Sequence, residues 1–196
     1  MTLEEEESFR GIVAGIIVLS AGIYIWHRLR IRSTSEQSAE SAAFRWGRPC
    51  VAAVLFSPVI LYVVYPQAIA FAQVPLLSIV REFCGMAAVI GLGLLNMSLL
   101  ELGNNLASTT RTTEGQELVT TGAYEWMRHP LYAAALYLLV GCAFLASNLL
   151  ILVAAVVLFV LLRRFLIPEE ERQLIQQFGQ AYEAYRKRKL PLFPHW

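Results

Sequence analysis

Three stretches of this chain, 49–80, 83–100 and 131–162, contain no Asp, Glu, Lys, Arg or His, over 32, 18 and 32 residues. About 20 apolar residues make one membrane span, and lipid leaves no water to satisfy backbone N–H and C=O groups. Such runs fold as membrane helices. Composition agrees: 57% of the 196 residues are hydrophobic and 16% charged, against roughly a quarter charged in soluble domains. The chain therefore reads as one all-α integral membrane protein, a single unit over 1–196. A net charge of +1 gives no argument for nucleic acid. Cys50, Cys84 and Cys142 lie in apolar surroundings without a CxxC pair and read as free thiols.

Helices are expected near 10–27, 50–65, 81–102, 131–146 and 149–167, giving about five spans. As one helix, 131–162 would measure about 48 Å against a hydrocarbon core of about 30 Å, so Ser147 and Asn148 should turn it into a hairpin. The proline-punctuated stretch 66–75 should be a short connection at or near the membrane interface. Glu4, Glu5, Glu6 and Glu7, like the 33–41 loop, read as solvated surface. The start lacks the basic beginning of a secretory signal, so 11–26 is expected as a retained span. Fourteen of the sixteen Lys and Arg fall in 27–48, 101–130 and the tail from 163. Positive flanks stay cytoplasmic, so the N-terminus is expected outside and the C-terminus inside.

The polar residues that need explaining gather before span four and after span five. In the first group, ELVTTGAY at 117–124 is followed by RHPLY at 128–132. Pro130 suits a first helical turn, which places His129 at the helix entrance beside Arg128 and Tyr132, where free N–H groups favour an anion. The same residues would also serve as a topology marker, a cap and an interfacial aromatic. In the second group, Arg163 and Arg164 precede Pro168, Glu169, Glu170 and Glu171, and an amphipathic cytoplasmic helix is expected to run to about Lys189. Leu174, Ile175, Phe178, Tyr182 and Tyr185 form its apolar stripe, which needs a membrane surface or a groove to cover it. Gly179 on this helix suggests close approach. Attraction of Arg186, Lys187, Arg188 and Lys189 to anionic lipid is the simpler account of the basic end. The ending LPLFPHW stops the helix and forces an extended segment able to fold over a pocket, or to anchor at the interface. No GxGxxG follows a strand, there is no Walker loop, and no His/Cys/Asp set has metal spacing. Gly91 and Gly93 suit close helix packing.

Taken in order, LVTTGAY, RHPLY, a hydrophobic hairpin, EERQL, FG, YEAY and a proline-containing end resemble the isoprenylcysteine carboxyl methyltransferase family. The resemblance covers about 118–194. Phospholipid methyltransferases and sterol reductases share the plan. It implies an S-adenosylmethionine pocket on the cytoplasmic side, with S-adenosylhomocysteine as product, built by residues 103–196 on three N-terminal spans in 1–102. By the same resemblance Leu118, Val119, Tyr124, His129, Tyr132 and Glu171 fall at cofactor positions, Glu170 is the first acid of the pair, and Tyr182, Tyr185, Pro191 and Pro194 fall on the tail pattern. Leu166 stands where eukaryotic members carry an arginine.

Methylating a carboxylate needs no general base at neutral pH, only a cation to aim it, for which Arg128 and Arg164 are the candidates. Methylating the amine of phosphatidylethanolamine would need a proton removed, a role for Glu170. The leading expectation is methylation of an isoprenylated cysteine carboxylate, reached through a lateral opening from the bilayer, with lipidated substrate and membrane lipids as partners. The alternatives are phospholipid N-methylation, or a non-enzymatic membrane scaffold whose polar loops serve topology and lipid attraction.

Overall fold

The computed structural model describes residues 3–30, 42–103 and 118–194. Arg32, the 33–41 loop, Arg111, Glu117, His195 and Trp196 lie outside them. Among the described residues there are helices and no strands: α1 (Leu3–Arg30), α2 (Ala42–Val64), a 3-10 helix (Pro66–Ala72), α3 (Ser78–Leu102), α4 (Ala123–Trp126), α5 (Pro130–Leu145), α6 (Leu149–Leu161), a π turn (Leu162–Leu166), α7 (Ile167–Phe178) and α8 (Gln180–Arg188).

Helices stand at all five expected places. Three runs are long and apolar enough to cross a membrane: Leu3–Arg30, Ser78–Leu102 and the continuous Leu149–Phe178. A fourth forms if Cys50–Val64 and Pro66–Ala72, bent by 111°, count as one broken span. That bend is the connection expected at 66–75. The α5 helix has 16 residues and rises only about 24 Å. It is apolar on every side and is the central helix, with Ala133, Ala134, Leu138, Leu139, Cys142 and Leu145 buried. Charge-free residues of α1 and α3 such as Val18, Leu19, Phe83 and Ile90 remain exposed, as suits a surface covered by lipid.

Small residues bring α3 and α5 together. A Cβ on Gly141 would overlap the backbone of Ala88, and one on Gly91 would come within 3.0 Å of the Leu138 nitrogen and the Ala134 oxygen. Without a hydrophobic drive between helices in lipid, this backbone-to-backbone contact supplies the packing. The expectation of close packing holds at Gly91 and not at Gly93, where a Cβ would meet nothing.

At one end of the bundle a buried polar cluster ties the elements together. Arg81, with no solvent exposure, donates from Nε to the Leu145 carbonyl at 2.9 Å and also from Nη2. Its Nη1 pairs with Glu6 at 2.8 Å, and its guanidinium lies 3.8 Å from the Phe9 ring centroid. Glu6 accepts further hydrogen bonds from Tyr62 (2.6 Å) and Gln73 (3.2 Å). The acidic start is thus not uniformly solvated: Glu6 is the counter-ion of a buried arginine 75 residues away. Beside it the α5–α6 turn forms at Ser147 and Asn148 as expected. Asn148 caps α6 through Leu150 N and donates to the Ile69 carbonyl, while Val74 and Ser147 exchange hydrogen bonds.

The other departure concerns the C-terminal helix. The helix of the fifth span does not end at 167 but continues beyond the apolar run to Phe178, and the amphipathic helix expected to reach Lys189 breaks at Gly179. Gly179 has φ +52° and open space around its Cα, so backbone conformation rather than close approach explains it.

Arg81→Met is expected to destabilise the protein by about 1–3 kcal/mol, because it leaves a part-buried carboxylate unpaired and a buried carbonyl without its donor. Adding Glu6→Gln should recover part of that loss in detergent unfolding measurements.

Candidate functional site

The polar cluster singled out in the sequence assembles at the entrance of α5. Residues 118–122 lead into α4, and Thr121 donates to Glu101 at the end of α3 (2.8 Å). Met127 is extended and His129 forms the N-cap ahead of Pro130, whose missing N–H costs nothing at that position. The tail after α8 crosses this entrance. Leu190 O accepts from Arg128 N at 3.0 Å and Pro191 O from His129 N at 2.9 Å, an extended pairing that the two tail prolines keep from becoming helix. Pro191 and Leu192 are buried. Tyr185 braces α4 by donating to the Tyr124 carbonyl at 2.6 Å, with the Met127 carbonyl at 3.3 Å.

The acidic pair arrives from α7. Pro168 has no N–H to offer Arg164 O and its ring crowds that carbonyl, and the helix widens into the π turn just before it. One extra residue in a helix rotates everything after it by about 100°. Glu170 and Glu171 then flank the His129 ring, with Glu170 Oε2 3.6 Å from Nδ1 and Glu171 Oε1 3.3 Å from Nε2. Arg128 Nη2 lies 3.1 Å from the same Glu171 oxygen, and Arg186 reaches its other oxygen at 4.0 Å. Arg128 also donates to the Arg186 carbonyl at 3.4 Å. Tyr132 stacks on His129 with centroids 5.7 Å apart, and the Tyr182 and Tyr185 rings are 6.0 Å apart.

Burial opposes charge on His129, but hydrogen bonds and attraction from Glu170 and Glu171 outweigh it and raise its pKa above the ordinary value. Burial likewise pushes Glu171 up, while His129, Arg128 and Arg186 overcome this and lower it. Burial is the main cause that pushes the hydroxyls of Tyr124, Tyr182 and Tyr185 well above their usual value, so all three stay protonated. The site sets an imidazole whose charged form is favoured between two acidic side chains, walled by neutral phenols.

Of the residues expected from the sequence, Arg128, His129, Tyr124, Tyr132, Glu170, Glu171, Tyr182, Tyr185 and Pro191 converge here. Leu118 and Val119 are half-buried just before Thr121. Arg164 is exposed on the π turn, and it is Arg163 that lines the adjacent cavity of about 520 Å³, together with Arg128, Glu171, Arg172 and Arg186. Arg186 was expected only as part of a lipid-attracting basic end, not at the site. It sits in a basic run that resembles plain lipid attraction, and only the break at Gly179 turns it back toward Glu171.

The raised His129 contributes stability that is fully present below its unfolded value near 6.5 and is lost as pH rises through the folded pKa. The lowered Glu171 contributes stability present above its unfolded value near 4.5 and lost as pH falls through the folded pKa. Thermal stability should therefore be greatest between these limits and decline as pH rises beyond 6.5. His129→Asn should flatten that decline in a pH series of melting temperatures.

Comparison with known proteins adds an independent line. Residues 83–176 match the sequence model of the isoprenylcysteine carboxyl methyltransferase (ICMT) family. Over 93 residues the chain is 33% identical to Protein-S-isoprenylcysteine O-methyltransferase of Xenopus laevis, covering 46% of this chain and 32% of that protein. It is 38% identical over 81 residues to Protein-S-isoprenylcysteine O-methyltransferase B of Arabidopsis thaliana, 40% of either chain. It is also 28% identical over 109 residues to the nickel-cobalt-cadmium resistance protein NccN of Alcaligenes xylosoxydans xylosoxydans, covering 55% of this chain and 51% of that one. The chain thus spans about a third to a half of the length of these relatives. The family match begins inside α3, upstream of the resemblance read from motifs, and stops before Gly179. The α5 entrance, the hairpin and the acidic turn of α7 therefore lie in a segment, 83–176, that is similar to the isoprenylcysteine carboxyl methyltransferase family.

Proposed function

We propose that this chain is an S-adenosylmethionine-dependent methyltransferase acting at the membrane on the carboxylate of an isoprenylated cysteine. One observation carries the reading: His129, clamped between Glu170 and Glu171 and joined by Arg128, stands under the C-terminal tail inside the segment that matches the family. The orientation that fits the charge distribution puts this site on the cytoplasmic side.

The residues suit such a donor. Tyr182 is 1% exposed, and its hydroxyl, like Arg128 Nε, is buried with no hydrogen-bond partner among the described residues. Buried polar groups of this kind are costly unless a ligand completes them. In this reading Leu118, Val119, Tyr124, His129, Tyr132, Glu171, Tyr182, Tyr185 and Pro191 hold the donor, the aromatic walls and carboxylates favouring its positive charge. When bound, S-adenosylmethionine supplies an electrophilic methyl group and departs as S-adenosylhomocysteine.

The remaining work falls to the chain. A cysteine carboxylate is already ionised near pH 7, so no base is required. Arg128 aims it, since its guanidinium fork suits a carboxylate. Arg164, exposed and outside the cavity lining, is less well placed for the same task. His129, whose charged form both acids favour, sits between Glu170 and Glu171 and holds both in place. The tail keeps water from the reacting groups, and the prenyl chain of the acceptor reaches the site from the bilayer.

Calorimetry with S-adenosylhomocysteine on detergent-solubilised protein should show micromolar binding, lost in Glu171→Ala and His129→Ala and weakened about tenfold in Tyr182→Phe. Labelled methyl transfer should go to an S-prenylated cysteine with a free carboxylate and not to phosphatidylethanolamine. A folded wild-type protein that binds no S-adenosylhomocysteine would overturn the proposal.

A further inference from the structure

The cavity beside α7 contains more positive charge than the site it adjoins can use. Arg128, Arg163, Arg172 and Arg186 line it against a single lining carboxylate, Glu171. Glu171 is engaged by Arg128 at 3.1 Å and reaches Arg186 only at 4.0 Å, while Arg172 pairs with Glu169 at 2.8 Å. Arg163 is exposed and has no ion pair among the described residues. The excess cation is therefore concentrated at one wall.

Two further observations define what would neutralise it. Arg163 is the first charged residue after the charge-free run 131–162, so the cavity opens where the hydrocarbon ends and headgroup phosphates begin. Its other lining includes Ile167, Pro168 and Ile175, and Phe165 on the same turn is 64% exposed. A site for a free, fully hydrated anion has no use for an apolar wall, whereas a group joined to acyl chains does. At about 520 Å³ the cavity has room for a phosphate and its glycerol.

We propose that this cavity is a binding site for the phosphate headgroup of an anionic phospholipid, held by Arg163 and Arg172 with Arg186 at its edge. Arginine forks match phosphate oxygens in pairs, and a lipid bound there would brace the π turn that aims α7. The inference does not depend on the methyltransferase reading, only on α6 crossing the bilayer.

The test uses the full chain in nanodiscs of phosphatidylcholine with or without phosphatidylglycerol, reading the melting temperature, with native mass spectrometry of retained lipid as a second measure. Phosphatidylglycerol should raise the wild-type melting temperature and be retained in preference to phosphatidylcholine. Arg163→Gln with Arg172→Gln should remove most of both effects, whereas Lys187→Gln with Lys189→Gln, an equal charge change, should leave them. Equal loss in both pairs would reduce the effect to diffuse attraction and overturn the site. So would an equal rise from inorganic phosphate alone, which would make it a free-anion site, or the absence of any preference for phosphatidylglycerol in the wild type.

Discussion

A guanidinium sealed from solvent inside an apolar bundle is tolerable only if every charge and donor it brings is answered. Arg81 meets that condition by drawing in Glu6 and Phe9 from α1 and the last turn of α5 at Leu145, with Tyr62 of α2 and Gln73 completing Glu6. The partners come from four segments, so the requirement to neutralise one residue ties those four together. The consequence extends the length of α5. That helix is short and its close contact with α3 leaves no freedom to slide, so fixing its Leu145 end also fixes the depth of His129 at the other.

At that other end the logic is reversed. The far cluster is closed and balanced, whereas the α5 entrance has paired charges next to polar atoms without partners among the described residues, such as the Tyr182 hydroxyl. A bundle that satisfies one polar cluster fully and leaves another incomplete is organised as scaffold and site. Three segments meet there: the α5 entrance, the first turns of α7 about 40 residues later, and α8 with the tail beyond the break at Gly179. None of them makes the site alone.

How much of this could be read from the chain follows from the range of each signal. Spans are legible because lipid forbids charge along a whole run, and the hairpin at Ser147 and Asn148 because no single helix of that length fits the bilayer. His129, Glu171 and Tyr185 were legible as motifs in order. The continuation to Phe178 was hidden because Arg163 and Glu169 look like the end of a span, although a helix can leave the membrane without stopping. The Glu6–Arg81 pair was hidden because nothing local distinguishes Glu6 from its acidic neighbours. Arg186 was hidden by the break at Gly179, which changes the direction of the chain without changing its helical pattern.

The π turn at Leu162–Leu166 has an implication of its own. A widened turn has poorer hydrogen-bond geometry than the α-helix it replaces, and shortening it by one residue would restore regular winding. The same deletion would swing Glu170 and Glu171 away from His129. Here the better helix would make the poorer protein: local regularity has been surrendered at one turn so that two carboxylates face inward.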